Sequence, residues 1–456
     1  MGAQPLRGLR GQYYLALGCG FVVLLAALGG ASRADELQQS LIRLIAILVI
    51  AAALWPLEFR AFRDARAPVA GLALVYLLLL GQLIPLPPDA WARLPGHGVY
   101  AAVAEQAHSR RWRPWSLSPD LTLNALAALL PATAAGLVTL ALDFRERLLL
   151  ARLVVAVACV SAVLGLLQFA AGESALHLFR TTSDNSAVGL FANRNHQAVL
   201  MACALPLLAA TASIELRHRS GNERRIMIFA AVTGAILLMG LASTGSRMGI
   251  LLGVAGIACA TTIALLTVVR SSTGVGTRWW LAGLGIMAGA LGAVGILVIR
   301  SGAAARLANE PIDQTRIAAL GPMLNAARAF LPLGSGFGTF QPVYQRFEPD
   351  SLLSTIYLNQ AHNEPMQLAI EGGVPAIILL LLFLAWWIQA VVRTTRQRGS
   401  ASKRALGMAM AAATLMLMLS SLVDYPLRTP LLSGLFAIAC VELLRSKGRP
   451  ADQPAR

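Results

Sequence analysis

The chain has 456 residues, of which 57% are hydrophobic and only 13% are charged, and its apolar residues are spread along the whole length. This composition excludes a soluble multi-domain protein and indicates a polytopic membrane domain. The formal net charge of +16 arises mostly from short basic clusters between apolar runs. Because no nucleic-acid-binding motif accompanies them, membrane orientation explains the charge, and nucleic acid is not expected as a partner.

The apolar runs predict the fold class. Backbone groups must bond internally in hydrocarbon, which leaves helices or a closed barrel, and the run at residues 376–388 lacks the alternation of barrel strands. We therefore predict an all-α, polytopic transmembrane bundle whose first helix is retained rather than cleaved as a signal peptide. About twelve spans are expected, at residues 13–31, 41–57, 69–86, 121–142, 148–171, 190–213, 226–242, 248–269, 279–299, 365–391, 405–423 and 431–444.

The basic clusters predict the orientation. Arginines follow every second span, most densely between residues 393 and 404, so the positive-inside rule places both termini in the cytoplasm. Two long segments, 87–120 and 300–364, then lie outside. We divide the chain into an amino-terminal part of about five spans, a second transmembrane domain that includes the longer outer segment, and a basic cytoplasmic tail, at residues 1–184, 185–445 and 446–456.

The longer outer segment contains one helical pattern. Ile317, Leu320 and Leu324 recur at helical spacing, which predicts an amphipathic helix over residues 315–331 that lies on the membrane or over the bundle. The following GSGFGTF sequence at residues 334–340 cannot continue a helix and is expected to form a flexible turn.

Three polar motifs precede apolar spans at the outer face. They are GLFANRNH at 189–196, ASTGSR at 242–247 and AHNEP at 361–365, and Arg316 lies in the loop before the third. Spans six, eight and ten all begin outside under this topology, so we expect the three motifs to meet at similar depth although they are far apart in sequence.

Arg247 is the first candidate for an anion site. Ser246 is a plausible N-cap of span eight, which puts Arg247 in the first helical turn, where the helix dipole disfavours a cation. A bound phosphate would relieve this conflict, because helix amides and a guanidinium both donate to its oxygens. The alternative is an arginine that extends to the lipid headgroups.

Arg194 and Arg316 are further cationic candidates. Arg194 lies between Asn193 and Asn195 with His196 next, and such a polar cluster at the end of an apolar span is costly unless it faces a cavity or a partner. Structural hydrogen bonding or contact with headgroups is the alternative there. For Arg316, the alternative is an ordinary solvated loop residue.

His362 is the candidate general base. Asn363 can cap span ten and Pro365 fits its first turn, so His362 precedes a helix amino terminus, where the dipole favours the neutral imidazole. A structural histidine is the alternative, and Glu364 and Glu371 are alternative bases, although the position of Glu371 better suits packing or orientation. We find no nucleophile triad, nucleotide-binding loop or acidic metal site, so neither metal nor cofactor is expected, and arginines would replace the metal.

Taken in order, these motifs resemble the superfamily of bacterial O-antigen ligases and polymerases. The resemblance covers roughly residues 185–425 and rests on FANRNH, on TGSR, on Arg316 with GSGFGTF, and on HNEPMQLAIEGGVP. It implies a multi-pass inner-membrane glycosyltransferase of lipopolysaccharide or polysaccharide biosynthesis in the cell envelope, with its active site facing the periplasm. His362 would match the family's essential histidine, and Arg247 and Arg316 the arginines that hold the diphosphate, whereas Arg194 matches less closely.

The resemblance also implies the substrates. The donor would be a glycan on a polyprenyl diphosphate such as undecaprenyl diphosphate, and transfer to an acceptor hydroxyl would be inverting and metal-independent. A ligase would use the lipid A-core as acceptor, a polymerase a growing glycan, and a third member type a protein. From a different class, a transporter or flippase for lipid-linked sugars remains open, although it would place charged residues along a path through the bundle.

Overall fold

The computed structural model describes residues 3–55, 62, 65–171, 176–181, 187–218, 221–269, 292, 314–353, 358–397 and 399–445. Within these residues the chain is mainly helical, as predicted. The helices in chain order are α1 (Ala3–Leu28), α2 (Leu37–Leu54), α3 (Arg66–Gly81), α4 (Pro88–Ala92), α5 (Gly98–Gln106), α6 (Pro119–Ala128), α7 (Leu130–Ala141), α8 (Phe144–Ala171), α9 (Arg194–His218), α10 (Glu223–Ser243), α11 (Arg247–Ala264), α12 (Gln314–Phe330), α13 (Phe340–Phe347), α14 (Glu364–Arg396), α15 (Ala401–Ser420) and α16 (Pro430–Arg445).

The strands described are two short ones in the first outer segment. β1 (Pro85–Leu86) pairs antiparallel with β2 (Arg113–Pro114), which brings together the two ends of the stretch that contains α4 and α5. Short turns of other helical types continue α11 at Leu265–Val269 and occur at Asp350–Leu352 and Pro426–Arg428. The chain is therefore an all-α polytopic bundle, and the predicted fold class is confirmed.

The number of spans is only partly tested. Among the described residues, eight helical stretches are long and apolar enough to cross a membrane, at Arg10–Leu28, Leu37–Leu54, Pro119–Ala141, Phe144–Ala171, Arg194–His218, Glu223–Ser243, Arg247–Thr267 and Glu364–Arg396. Three further predicted spans correspond to the helices α3, α15 and α16. The predicted span at 279–299 lies outside the described residues except for residue 292, so the total of twelve stays a prediction.

Helix α9 forms the centre of the bundle. It packs against α8, α10, α11 and α15, and 83% of its most apolar stretch is buried. Ala198, Ala202 and Ala204 are each 0% exposed, because small side chains allow neighbouring helix backbones to approach closely. This packing fixes the amino terminus of α9, which carries the FANRNH motif.

Backbone contacts bring the predicted outer ends of the helices together. The carbonyl of Gly30, after α1, accepts a hydrogen bond from Ala192 before α9 at 3.2 Å, and the carbonyl of Gly29 accepts one from Leu431 at the start of α16 at 3.0 Å. The amide of Glu364 at the start of α14 donates to Ser421 after α15 at 2.8 Å. This arrangement agrees with the predicted alternation of the spans.

The predicted amphipathic helix is α12, and it has two apolar faces. Met323, Ala326, Ala327 and Phe330 are buried, and α12 packs against α13 and α14. Ile317, Leu320 and Leu324, which suggested the helix, are instead 56%, 41% and 40% exposed. The helix thus packs on other helices of the protein through a stripe different from the one that suggested it, and contact of the exposed stripe with the membrane stays a prediction.

The glycine-rich loop after α12 is buried, contrary to the prediction of a flexible turn. Helix α14 is kinked at Gly373, whose φ is 59°, and Pro375 has no amide hydrogen for the carbonyl of Glu371. The freed carbonyls of Ile370 and Glu371 accept hydrogen bonds from the amides of Ser335 and Gly336, both at 2.9 Å. The kink therefore holds the loop against α14.

Replacing Gly336 with alanine is expected to destabilise the protein. Its φ of +109° disfavours an L residue, and an added Cβ would collide with the Ser116 hydroxyl. Thermal unfolding of the detergent-solubilised protein is expected to show a cost of about 1–3 kcal/mol. Gly321→Ala in α12 is the control, since a Cβ there meets nothing within 4 Å. Equal melting temperatures for the two variants would contradict a fixed loop.

Candidate active site

The short loop between α15 and α16 contains three polar side chains at the centre of the site. This loop, which we call the 421–429 loop, includes the turn Pro426–Arg428 and carries Asp424, Tyr425 and Arg428. Each of these side chains contacts residues that the sequence analysis singled out as candidates, and the contacted residues differ from one side chain to the next. The loop therefore joins the amino termini of α9 and α14.

Asp424 is a buried carboxylate with partners on several elements. Its side chain is 2% exposed. Oδ2 accepts a hydrogen bond from Asn195 Nδ2 at 2.7 Å, and Oδ1 accepts one from the amide of Tyr425 at 2.9 Å. Oδ1 also lies 3.4 Å from His362 Nδ1 and 3.8 Å from His196 Nε2. A single carboxylate thus faces two imidazoles.

The surroundings of Asp424 stabilise its charged form. Burial by itself would raise the pKa of this carboxyl, but the contact with His362, the charge of His196 and the amide of Asn195 outweigh it. The pKa is therefore held well below its ordinary value of 3.8. Asp424 is consequently an anion at neutral pH, opposite Nδ1 of His362.

Asn195 connects this carboxylate to the start of α11. Its side-chain oxygen accepts a hydrogen bond from the Ser246 hydroxyl at 2.8 Å. The Ser246 oxygen accepts in turn from the amide of Gly249 at 3.0 Å, so the predicted N-cap is confirmed and Arg247 occupies the first turn of α11. Arg194 begins α9 beside Asn195. The two chain segments that carry these arginines therefore meet at Asn195.

Tyr425 lies between the two histidines and close to Arg316. Its ring centroid is 4.8 Å from that of His362 and 5.4 Å from that of His196. The Asn193 side chain hydrogen-bonds the hydroxyl of Tyr425, and Arg316 donates through Nη1 to the carbonyl of Val423 at 3.2 Å. Burial and then the charge of Asp424 raise the pKa of Tyr425 to about 12, so it remains a neutral phenol.

His362 has an unusual backbone conformation that its neighbours fix. Its φ is 50°, a region that a residue with a side chain seldom occupies and that is typical of strained functional positions. Asn363 caps α14 as predicted, by accepting from the amide of Met366 at 3.0 Å, and Pro365 lies in the first turn. The His362 side chain is 12% exposed. The imidazole is therefore held at the mouth of the site, with Nδ1 toward Asp424.

Glu364 and Glu371, which the sequence offered as alternative bases, both accept hydrogen bonds from other groups of the protein. Glu364 receives two hydrogen bonds from Arg428, at 2.7 and 3.1 Å. Glu371 is 1% exposed, and its Oε1 accepts from the amide of Phe340 at 3.0 Å and from Gln367 at 2.9 Å. These contacts favour His362 over either glutamate as the base. Among the described residues, no group of three or more His, Cys, Asp or Glu side chains is suited to hold a metal ion.

A comparison with known families identifies the domain. Residues 229–381 match the family model described as O-antigen ligase. This stretch of the chain is similar to the O-antigen ligase family. The chain is thus a multi-pass membrane protein with a domain similar to a family of glycosyltransferase-like enzymes, which agrees with the resemblance found in the sequence. No curated protein matches the chain.

The O-antigen ligase domain contains only part of the site. Arg247, Arg316 and His362 lie within the matched residues, whereas Arg194 and His196 precede them and the 421–429 loop follows them. Sequence reasoning identified the first group and missed the contacts of Asp424, Tyr425 and Arg428. The available signal was their occurrence together, as DYPLR, in a short loop that the predicted topology places at the outer face.

The ionised form of Asp424 is expected to contribute stability that depends on pH. Because its pKa is lowered in the folded protein, this contribution is present above the unfolded value of 3.8 and is lost as pH falls below it. Thermal unfolding at about pH 6 and about pH 3 is expected to show a smaller pH dependence for Asp424→Asn than for the wild type. An equal loss of stability in both proteins would contradict the assignment.

Proposed function

We propose that the chain transfers a glycan from a polyprenyl diphosphate, such as undecaprenyl diphosphate, to an acceptor hydroxyl at the periplasmic face of the bacterial inner membrane. The observation that carries the proposal is the contact between His362 and the buried Asp424, at the end of the bundle where the segments bearing Arg194, Arg247 and Arg316 meet. A base beside several cations suits a reaction in which a hydroxyl loses a proton and a diphosphate leaves.

The arginines form the proposed donor site. Arg247 occupies the first turn of α11, where helix amides and the guanidinium can both donate to phosphate oxygens. Arg316 extends from α12 toward the 421–429 loop, and Arg194 begins α9. Asn193, Asn195 and Ser246 fix the backbone around them, while His196 completes the buried surroundings of Asp424. Arginine charges in these positions would stabilise the departing diphosphate without a metal ion.

His362 acts as the base in this proposal. Nδ1 faces the Asp424 carboxylate, which orients the ring and stabilises the imidazolium as it forms. Nε2 removes the proton from the acceptor hydroxyl, and the oxygen attacks the anomeric carbon. The bond from that carbon to the diphosphate oxygen breaks, and the electron pair leaves with the polyprenyl diphosphate. Attack opposite the leaving group inverts the anomeric centre.

The substitution His362→Asn is expected to reduce transfer by about 10²–10⁴-fold, since general-base catalysis is lost. Asparagine tolerates the positive φ of this residue, so the backbone is little disturbed. The measurement is formation of glycosylated acceptor by purified protein from lipid-linked glycan in the presence of a chelator. His108→Asn is the matched control, because His108 is exposed and also has a φ of 50°. Unchanged turnover in His362→Asn would contradict the base assignment.

The substitutions Arg247→Gln and Arg316→Gln are expected to weaken use of the donor. Each removes a charge-assisted hydrogen bond worth about 1.5–3 kcal/mol, so kcat/KM for the lipid-linked donor is expected to fall about 10–100-fold. Arg328→Gln is the control, since Arg328 is an exposed residue in the last turn of α12. A loss for Arg328→Gln as large as for Arg316→Gln would argue against a specific diphosphate contact.

The acceptor distinguishes a ligase from a polymerase. We favour ligase-like transfer to the lipid A-core, and the alternative is a repeat-unit polymerase that extends a growing glycan. In a deletion strain, loss of long-chain lipopolysaccharide with intact lipid-linked polymer would indicate the ligase, and loss of chain length would indicate the polymerase. A flippase would give no covalent product in the purified reaction, which would contradict both.

A further inference from the structure

One face of α14 is polar although the helix enters the membrane. Glu364, Gln367 and Glu371 are separated by three and four residues, so they lie on the same side of the helix. The Glu364 side chain is 15% exposed, and Gln367 and Glu371 are each 1% exposed. We call these three residues the polar face of α14. Burial of so many polar groups is costly unless they are paired.

Each residue of the polar face holds a different segment of the site. Glu364 binds Arg428 of the 421–429 loop through both carboxylate oxygens. Gln367 accepts a hydrogen bond through Oε1 from the amide of Ala361, the residue before His362, at 2.9 Å. Glu371 accepts from the amide of Phe340, at the end of the glycine-rich loop, at 3.0 Å.

These contacts form one connected network. Gln367 donates through Nε2 to Oε1 of Glu371 at 2.9 Å, and Nη2 of Arg428 lies 3.9 Å from Oε2 of Glu371. Oε2 has no hydrogen-bond partner among the described residues, and the Arg428 guanidinium is within ion-pair distance of it. A shift of Arg428 would therefore affect both carboxylates and, through Gln367, the segment that carries His362.

We propose that Arg428 is a positioning residue, which acts through the polar face of α14 to hold His362 against Asp424, and is not a further ligand of the diphosphate. This inference rests on the proposed function. Arg428 and Asp424 are on the same short loop, and Glu364 is two residues from His362. The Arg428–Glu364 pair therefore sets the separation of the base and the carboxylate that orients it.

Charge and geometry separate Arg428 from the proposed donor arginines. The Glu364 carboxylate pairs with the Arg428 guanidinium, which leaves that guanidinium little net charge with which to attract a phosphate. Glu364 also occupies two of the donors that a bidentate phosphate contact would need. The network therefore suits a structural clamp and not anion binding.

The experiment measures kcat and the donor KM for Arg428→Gln, Glu364→Gln and the double variant. Displacement of the base by about 1 Å lowers kcat by about 10²-fold and leaves the donor KM within about threefold of the wild type. The double variant is expected to lose no more activity than either single variant, because both changes break one pair. A donor KM that rises about tenfold in Arg428→Gln, or losses that multiply in the double variant, would overturn the proposal.

An exposed ion pair in the first outer segment provides the matched control. Arg110 and Asp89 are 3.1 Å apart, and both side chains are 77% exposed. The corresponding variants Arg110→Gln and Asp89→Asn are expected to leave kcat and KM unchanged, since surface pairs contribute little. If Arg428→Gln does not fold, Arg428→Lys replaces it, because lysine keeps the charge without the bidentate geometry. For Arg428→Lys, a lower kcat at constant KM supports the proposal and a higher KM opposes it.

Inorganic diphosphate distinguishes failure of this inference from failure of the proposed function. Inhibition of transfer by diphosphate is expected to be as strong in Arg428→Gln as in the wild type and weaker in Arg247→Gln. If Arg428→Gln loses the inhibition while the wild type retains it, the positioning role is wrong and the proposed function stands. A wild-type protein that forms no glycosylated acceptor and is not stabilised by diphosphate against heat would instead contradict the proposed function.

Discussion

The burial of the Asp424 carboxylate is the interaction on which the rest of the site depends. A buried charge is costly unless it is paired and hydrogen-bonded, and Asp424 meets this requirement with groups from three places in the chain. Asn195 at the start of α9, His362 before α14 and the backbone of its own loop all face it. Removal of any partner would leave part of the charge unpaired. The carboxylate therefore fixes the relative positions of these segments and orients the imidazole.

The second constraint is the kink of α14. Gly373 and Pro375 interrupt the hydrogen bonds of the helix, and the freed carbonyls bind the amides of Ser335 and Gly336 in the glycine-rich loop. The same loop follows α12, which carries Arg316 near its amino terminus. A local break in one membrane helix thus positions a helix of the outer segment. The backbone of α14 therefore contributes to the proposed donor site indirectly, because it holds the loop that follows the helix of Arg316.

The groups proposed for chemistry and the groups that hold them come from different parts of the chain. His362, Arg247 and Arg316 lie in the O-antigen ligase domain at residues 229–381. Asn195 precedes that domain, and Asp424 and Arg428 follow it. The central helix α9 and the last two helices therefore complete the site from outside the matched domain.

The sequence by itself determined the helical class, the caps of α11 and α14, and the meeting of the three motifs at one end of the bundle. These features depend on local patterns, namely apolar length, the residue before a helix and the alternation of spans. Only the tertiary structure decided which face of α12 is buried, that the glycine-rich loop is fixed, and that Asp424, Tyr425 and Arg428 surround His362. Asn195 and Asp424 are 229 residues apart, and Glu364 and Arg428 are 64 apart. No periodicity specifies such pairs, because they arise only when the helices pack and place their ends side by side.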